Sequence, residues 1–185
     1  MNPIDEILDM FEARGHSLYG GEAVTQREHA LQAAALAESE NAPASLIVAA
    51  LLHDLGHLLH DLPSDAPMHG LDDQHEAVAG KYLERHFQKS VTEPVRLHVA
   101  AKRYLCAVER GYGEQLSLPS KVSLALQGGP MTPDEVTQFQ QHPFVTQAVR
   151  LRKWDDEAKE PTRTTPPISH FVRYLQEVLG ERDIQ

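Results

Sequence analysis

Apolar residues recur along this chain at the three- and four-residue spacing of helices. In the first such segment, residues 3–14, Ile4, Ile7, Leu8 and Phe11 fall on one face. An apolar stripe with polar residues opposite is typical of a helix that packs against a core. The pattern therefore predicts a helix at the start of the chain.

The same spacing, bounded by capping residues and by glycine or proline, marks further segments along the chain. Capping-box patterns occur at Thr25, Ser90 and Thr132. The predicted helices span residues 3–14, 25–40, 43–59, 73–87, 90–109, a short stretch after 119, a stretch from 132 interrupted at 142–143, a stretch ending near 152, and 169–179. Loops or breaks are predicted at residues 61–72, 128–130 and 161–167.

Because no segment shows a convincing alternation of apolar and polar residues, the sequence predicts an all-α fold. We expect a single-domain helical bundle over residues 1–185. Segment 43–59 is apolar on nearly every side, which predicts the buried centre of that bundle. A chain of 185 residues can form a substantial core, since a domain of about 150 residues buries roughly 70% of its unfolded surface.

The charge balance and the cysteine count exclude several classes of protein. Seventeen Lys and Arg against 27 Asp and Glu give a net charge of −10, which argues against binding to nucleic acid or to an anionic membrane. One cysteine excludes a disulfide framework and a zinc site built on thiolates. The acidic N-terminal segment is unlike a secretory signal, and no apolar run approaches the ~20 residues of a spanning helix. We therefore expect a cytoplasmic protein.

An adjacent histidine and aspartate, His53 and Asp54, lie in the most apolar segment. Polar groups are costly to bury there unless a metal ion or another partner satisfies them. Bundle proteins build metal sites from facing helices, and the other predicted helices or their ends carry four more candidate ligands: His29, His75, His98 and Asp155. Asp156 is the alternative to Asp155, and the Trp-Asp order favours the first aspartate.

This order of ligands resembles the HD-domain superfamily, and the string from His53 to His57 (HDLGH) matches its hallmark. The resemblance covers nearly the whole chain and implies a helical bundle that holds two metal ions. It implies one metal held by His29, His53, Asp54 and Asp155, and a second held by Asp54, His75 and His98, with Asp54 bridging. Four imidazoles and two carboxylates suit iron, manganese or, less well, zinc.

The tracts around these ligands resemble a narrower group, the phosphonate-cleaving HD-domain oxygenases. The resemblance lies in residues 15–26, 98–105, 126–131 and 151–156. It implies two iron ions in an Fe(II)/Fe(III) site that uses O₂ to break the carbon–phosphorus bond of a phosphonate. An α-ketoglutarate-dependent partner enzyme first hydroxylates C1 of that phosphonate.

The resemblance also implies the reaction. It converts (R)-1-hydroxy-2-aminoethylphosphonate to glycine and phosphate, or the N-trimethyl analogue to glycine betaine and phosphate. The sequence leaves open which nitrogen group the substrate carries. It also leaves open a substrate without nitrogen, such as hydroxymethylphosphonate.

Two cations and a hydroxyl are predicted to bind the phosphonate group. Lys102 follows His98 by four residues, so it faces the same side of its helix. Arg152 precedes Asp155 by three residues. Both cations suit phosphonate oxygens, Arg as a planar fork and Lys as a point charge. Ser120 adds a hydroxyl donor to this predicted pocket.

Three further residues are candidates for the site. The resemblance implies that Tyr19 occupies an iron position until substrate displaces it, and that Glu22 pairs with the substrate amine. The two glycines between them permit such a movement. His57 lies four residues after His53, which predicts the same helical face. It is expected to orient a metal ligand or to contact the substrate.

Other functions use the same ligands. An HD-type phosphohydrolase acting on a nucleotide or another phosphate ester would release phosphate without O₂. A non-catalytic HD sensor would bind metal or ligand alone, and ring cleavage of an inositol type is typical of longer chains. The sequence favours a di-iron oxygenase whose partners are a small organophosphonate and O₂.

Overall fold

A computed structural model of the protein describes residues 2–60, 62–63 and 66–180. Within these residues every regular element is helical, and one isolated bridge pairs Leu18 with Thr25. The α-helices are α1 (Pro3–Arg14), α2 (Gln26–Ser39), α3 (Ala44–Leu52), α4 (Gly56–Leu59), α5 (His75–Leu83), α6 (Lys89–Val108), α7 (Tyr112–Gln115), α8 (Leu118–Leu126), α9 (Pro133–Gln140), α10 (Val145–Glu157) and α11 (Ile168–Gly180).

The predicted loop at 61–72 contains a short 3₁₀ helix, Ala66–His69. Part of this prediction, at residues 61, 64 and 65, lies outside the described residues, as do both ends of the predicted 1–185 domain. The predicted all-α class is confirmed, and the arrangement is consistent with a helical fold of the HD type. In the described part of the chain, no helix combines the length and apolar character needed to cross a membrane.

Capping explains where several helices begin. Asn2 accepts the backbone N–H of Ile4 at 3.1 Å, and the predicted capping boxes at Thr25 and Thr132 are both complete. The capping box predicted at Ser90 is wrong, because α6 begins one residue earlier, at Lys89.

Glu93, the side chain that would complete the Ser90 capping box, contacts other residues. Glu93 lies 3.5 Å from Nη1 of Arg96 and 3.5 Å from Nε2 of His142. It therefore faces Arg96 and His142 instead of turning back to a cap.

The apolar helix predicted over residues 43–59 is interrupted at its polar pair. Helix α3 ends at Leu52, and α4 begins at Gly56. Between them the backbone forms tight turns. The N–H of Leu55 donates to the backbone carbonyl of Leu52, and the N–H of His57 donates to the backbone carbonyl of Asp54. Gly56 packs against the start of α5, since a Cβ atom there would lie 2.0 Å from the carbonyl oxygen of His75.

Three other predicted helix boundaries, on two helices, are wrong. Helix α5 is shorter than the predicted 73–87 at both ends. Helix α10 continues beyond the predicted end near 152 as far as Glu157. The extension turns Trp154 and Asp155 into the interior, where they are 2% and 1% exposed. Burial of that last turn stabilises helical structure beyond the point that local pattern indicates.

Helix α3 lies at the centre of the bundle, as its composition predicts. It packs against α2, α6, α10 and α11. Its side chains from Leu46 to Leu52 are all buried. The six buried histidines and aspartates that the sequence singled out as ligands lie around its C-terminal end.

Candidate metal centre and substrate cavity

The structure brings the six predicted metal ligands together in two adjacent triads. The ligand atoms of each triad lie within 4.8 Å of one another. One triad comes from α2, the end of α3 and α10; the other comes from the turn after α3, α5 and α6. They are His29, His53 and Asp155, and Asp54, His75 and His98.

Hydrogen bonds fix the tautomers of the four histidines. In each ring, Nδ1 lies 2.7–2.9 Å from an oxygen that can only accept. The pairs are His29 with the carbonyl of Ala158, His53 with that of Ala50, His98 with that of Val95, and His75 with Oδ1 of Asp73. Nδ1 therefore carries the hydrogen, and each neutral ring is left with an unprotonated Nε2.

These Nε2 atoms face one another in pairs. The separation is 3.1 Å between His29 and His53, and 3.2 Å between His75 and His98. Two nitrogen lone pairs at this distance repel unless a proton or a metal cation lies between them. The histidine tautomers are thus those of imidazoles that bind a metal through Nε2.

Asp54 lies between the two triads. Its Oδ2 is 3.4 Å from Nε2 of both His29 and His53, and its Oδ1 is 3.3 Å from His75 and 3.4 Å from His98. Neither oxygen has a hydrogen-bond partner, although both are buried. A buried carboxylate without hydrogen bonds is costly unless a cation compensates it.

Asp155, in the first triad, also has a buried carboxylate oxygen without a hydrogen bond. Its Oδ1 is buried without a hydrogen bond, 3.4 Å from Nε2 of His29. Its Oδ2 is paired with Nη1 of Arg152 at 2.7 Å. Asp156 instead pairs with Arg152 and accepts from the Tyr112 hydroxyl, so the structure places the first of the two aspartates in the triad.

The electrostatics of the site favour positive charge. Burial opposes protonation of His53, but the attraction of Asp54 and Asp155 outweighs it and raises the pKa of His53 to about 10. The pKa of His75 is likewise raised to about 10 against burial, by Asp54 and Asp73. Burial opposes ionisation of Asp54, yet the surrounding imidazoles hold its pKa well below the usual value.

The donor set therefore fits metal ions. Unpartnered carboxylate oxygens and Nε2 atoms that can take up a proton or a metal cation converge at one place in the interior. Imidazole and carboxylate ligands without thiolate suit iron, manganese or zinc.

A cavity of about 70 Å³ opens beside the two triads. Three predicted metal ligands lie on its wall, His75, His98 and Asp155. All six predicted substrate-contact residues also line it: Tyr19, Glu22, His57, Lys102, Ser120 and Arg152. The volume is far below the roughly 300–1,000 Å³ of pockets for drug-sized ligands. It suits a small substrate better than a nucleotide.

One side of the cavity is cationic. Lys102 is almost fully buried and donates from Nζ to Oγ of Ser123 at 2.8 Å. Burial, with the nearby charge of Arg152, lowers the pKa of Lys102 to about 7. Arg152 is fixed by Asp155 and Asp156, so its positive charge is held at the wall in one orientation.

A chain of hydrogen bonds also runs along the cavity wall at Ser120. Ser117 Oγ donates to Oε1 of Glu22 at 2.5 Å and lies 3.0 Å from Oγ of Ser120. Ser120 Oγ also accepts from Nζ of Lys159 at 2.9 Å. Glu22 and Ser120 are thus linked, and Lys159 adds a third cation close to the cavity.

Tyr19 lies over the first triad. Its ring stacks on His29, with centroids 3.8 Å apart and planes 12° from parallel. Burial and the negative charges of Asp155 and Asp54 raise the pKa of the Tyr19 hydroxyl well above its usual value. The phenol is therefore neutral unless a cation stabilises its anion.

His57 lines the cavity for a different reason from the one the sequence suggested. The interruption after α3 removes the helical register with His53. The His57 ring stacks instead on His75, with centroids 4.1 Å apart, and its Nδ1 lies 2.7 Å from Oδ2 of Asp73. The prediction that His57 shares a helical face with His53 was therefore wrong.

Asp73, Ser117 and Lys159 were missed by sequence reasoning. Asp73 precedes His75 by two residues, and Lys159 follows Asp155 by one helical turn. Those spacings were the available signal. Each residue contacts the site through a side chain that only the folded structure brings close to it.

An all-α bundle with two buried His/Asp triads beside a cationic cavity is consistent with a helical protein of the HD type whose triads are able to hold metal ions. No family model matches the chain. It is 46% identical over 178 residues to a hydroxymethylphosphonate dioxygenase of Gimesia maris, an alignment that covers 95% of this chain and 88% of the relative.

Two further relatives cover a similar extent. The chain is 41% identical over 184 residues to the [1-hydroxy-2-(trimethylamino)ethyl]phosphonate dioxygenase (glycine-betaine-forming) of Leisingera caerulea, covering 97% of this chain and 92% of that one. An uncharacterized protein of Acanthamoeba polyphaga mimivirus is 34% identical over 180 residues, covering 96% and 82%. The chain belongs to the family of HD-domain phosphonate dioxygenases.

Proposed function

We propose that the protein uses O₂ to cleave the carbon–phosphorus bond of a 1-hydroxyalkylphosphonate, giving phosphate and a carboxylate. The observation that carries this proposal is the position of the cationic cavity directly beside the two His/Asp triads. The relatives named as phosphonate dioxygenases support the reaction class.

The proposed reaction balances without an external reductant in each turnover. The C1–H and C1–P bonds are broken, and C1 is oxidised by four electrons to a carboxyl group. One O₂ accepts these four electrons, and phosphorus leaves as phosphate. For hydroxymethylphosphonate the carboxylate product would be formate.

We propose two iron ions, Fe(II) and Fe(III), as the metals. His29, His53, Asp54 and Asp155 would hold one, and Asp54, His75 and His98 the other. The metals, when bound, supply the electrons that activate O₂. The protein supplies the ligands, the cavity and the charges that position the substrate.

The cationic wall would bind the phosphonate group. Lys102 and Arg152 supply the positive charge, and His57 and Ser120 supply polar contacts. Because the pKa of Lys102 is about 7, a phosphonate anion beside it would favour the charged ammonium. Glu22 also lines the cavity, and its carboxylate suits a cationic nitrogen on the substrate.

The proposed substrates are therefore (R)-1-hydroxy-2-aminoethylphosphonate and its N-trimethyl analogue, giving glycine or glycine betaine. Tyr19 would cover the first triad in the free enzyme and move when substrate binds. Gly20 and Gly21, both with positive φ, would permit that movement. An α-ketoglutarate-dependent hydroxylase is the proposed pathway partner, because it would install the C1 hydroxyl.

Substrate choice is tested by phosphate release from three compounds at equal concentration in air. These are the two proposed substrates and hydroxymethylphosphonate, incubated with iron-loaded protein. We expect faster release from a compound with a cationic nitrogen, and Glu22→Gln should remove that preference. If hydroxymethylphosphonate is preferred and Glu22→Gln has no effect, the assigned role of Glu22 is wrong.

Replacing Lys102 with alanine should raise the KM for the phosphonate about 10- to 100-fold with a smaller change in kcat. Hydrogen bonds to charged groups contribute about 1.5–3 kcal/mol, and about 1.4 kcal/mol corresponds to tenfold. Steady-state phosphate release measures both constants. Lys153→Ala, at an exposed lysine paired with Glu109, is the matched control and should behave as wild type. An unchanged KM in the Lys102 variant would remove Lys102 from the substrate pocket.

A further inference from the structure

Asp73 lines the cavity beside the candidate metal centre, and its two oxygens contact different histidines. Oδ1 accepts from Nδ1 of His75 at 2.9 Å and from the His75 backbone N–H at 3.3 Å. Oδ2 lies 2.7 Å from Nδ1 of His57 and 3.1 Å from Nε2 of His60. The side chain is only 5% exposed, so water cannot readily replace these contacts.

The surroundings of Asp73 differ from those of the proposed metal-binding carboxylates. Both oxygens of Asp54 and Oδ1 of Asp155 lack hydrogen-bond partners, whereas both oxygens of Asp73 face ring nitrogens that carry hydrogen. For His60 this follows from its Nδ1, which accepts the backbone N–H of Leu62 at 3.2 Å and leaves the hydrogen on Nε2. Asp73 is therefore an acceptor for histidines and not a ligand for a third metal.

We propose that Asp73 is a positioning residue that fixes His75 and His57 together. Its Oδ1 holds His75 in the tautomer that presents the Nε2 lone pair to the second triad. Its Oδ2 holds Nδ1 of His57, which leaves Nε2 of that ring for the cavity. Carboxylates that accept from a metal-binding histidine fix its orientation and strengthen it as a ligand. Here the single carboxylate of Asp73 fixes both the proposed metal ligand His75 and the cavity residue His57.

The two rings support each other through this carboxylate. His57 stacks on His75 with planes 23° apart, so a rotation of either ring disturbs the other. The inference rests on the proposed function, because it assigns His75 to a metal and His57 to the substrate. Its test uses binding measurements without turnover, so it can fail or succeed separately from the proposed reaction.

The test is a pair of anaerobic titrations of metal-free protein and its Asp73→Ala variant. Fe(II) is titrated in competition with a chelator, and methylphosphonate is then titrated into the iron-loaded protein. We expect Asp73→Ala to weaken one Fe(II) equivalent about 10- to 100-fold, the usual effect of losing such a partner. Methylphosphonate binding should weaken as well, because His57 loses its acceptor.

Two further variants make the result specific. His57→Ala should weaken methylphosphonate binding but lower the Fe(II) affinity less than Asp73→Ala does, because Oδ1 of Asp73 still holds His75 after the stacked ring is lost. Asp9→Ala, at an exposed aspartate on α1, should match wild type in both titrations. Wild-type affinity for Fe(II) in Asp73→Ala would overturn the proposal, even if the wild-type protein proves inactive toward phosphonates.

If Asp73→Ala does not fold, the proposal is tested with Asp73→Asn, whose side chain has the same shape as aspartate. Asp73→Asn keeps one oxygen and replaces the other with an NH₂ group that cannot accept a hydrogen bond. One of the two histidines must then lose its acceptor. We expect at least about a tenfold loss of affinity for Fe(II) or for methylphosphonate. Wild-type values for both would overturn the proposal.

Discussion

Replacement of Asp54 with asparagine is expected to abolish metal binding at both triads and with it phosphate release. The carboxylate lies 3.3–3.4 Å from all four Nε2 atoms, so it is the group that the two triads share. An amide carries no charge and leaves one oxygen instead of two. The loss should exceed the about 10- to 100-fold that accompanies loss of a residue that only orients a ligand.

Metal content per chain after iron loading, measured with phosphate release, checks this expectation. Asp134→Asn makes the same chemical change at an exposed position in the first turn of α9 and should match wild type. Far-UV circular dichroism establishes that both variants are folded. An Asp54→Asn protein that retains two metals and wild-type turnover would show that the carboxylate is not a shared ligand.

Replacement of Gly56 with alanine is expected to destabilise the fold and to disturb His75. The added Cβ would lie 2.0 Å from the His75 carbonyl oxygen, a backbone atom that cannot move without displacing the start of α5. Overpacking of this kind costs about 1–3 kcal/mol. Alanine gains up to about 1 kcal/mol of helix propensity over glycine, which offsets only part of that cost.

Urea unfolding measures the free-energy change, and Fe(II) titration measures the effect on the metal centre. Gly113→Ala in α7 is the matched control, because its nearest neighbour would be Cys106 Sγ at an ordinary 3.7 Å. We expect that control to be neutral or slightly stabilising. Equal unfolding free energies for wild type and Gly56→Ala would contradict the close packing of α4 against α5.

The all-α class and the central position of α3 could be predicted from the sequence because they depend on local spacing and caps. The candidate ligands could be found because His53 and Asp54 are too polar for their apolar surroundings. Their grouping into two triads was implied only by the resemblance to HD domains. The structure brings the same residues together, while their roles stay proposals.

The features that the sequence did not predict depend on contacts between distant parts of the chain. The interruption after α3 follows from the approach of Gly56 to His75, 19 residues later in the sequence. Asp73 precedes a helix and has the local pattern of a capping residue. Only the fold brings His57 and His60 to its second oxygen. Lys159 lies just beyond α10, where spacing alone cannot show that it reaches Ser120.

The most direct test of the proposed oxygenase is parallel measurement of O₂ uptake and phosphate release by the iron-loaded, partly reduced protein. (R)-1-hydroxy-2-aminoethylphosphonate, its N-trimethyl analogue and hydroxymethylphosphonate are supplied in turn, beside a phosphate ester without a C–P bond. We expect one O₂ to be consumed for each phosphate released from a phosphonate, and no release without O₂. Anaerobic hydrolysis of the ester, with no phosphonate turned over, would contradict this expectation and identify a phosphohydrolase.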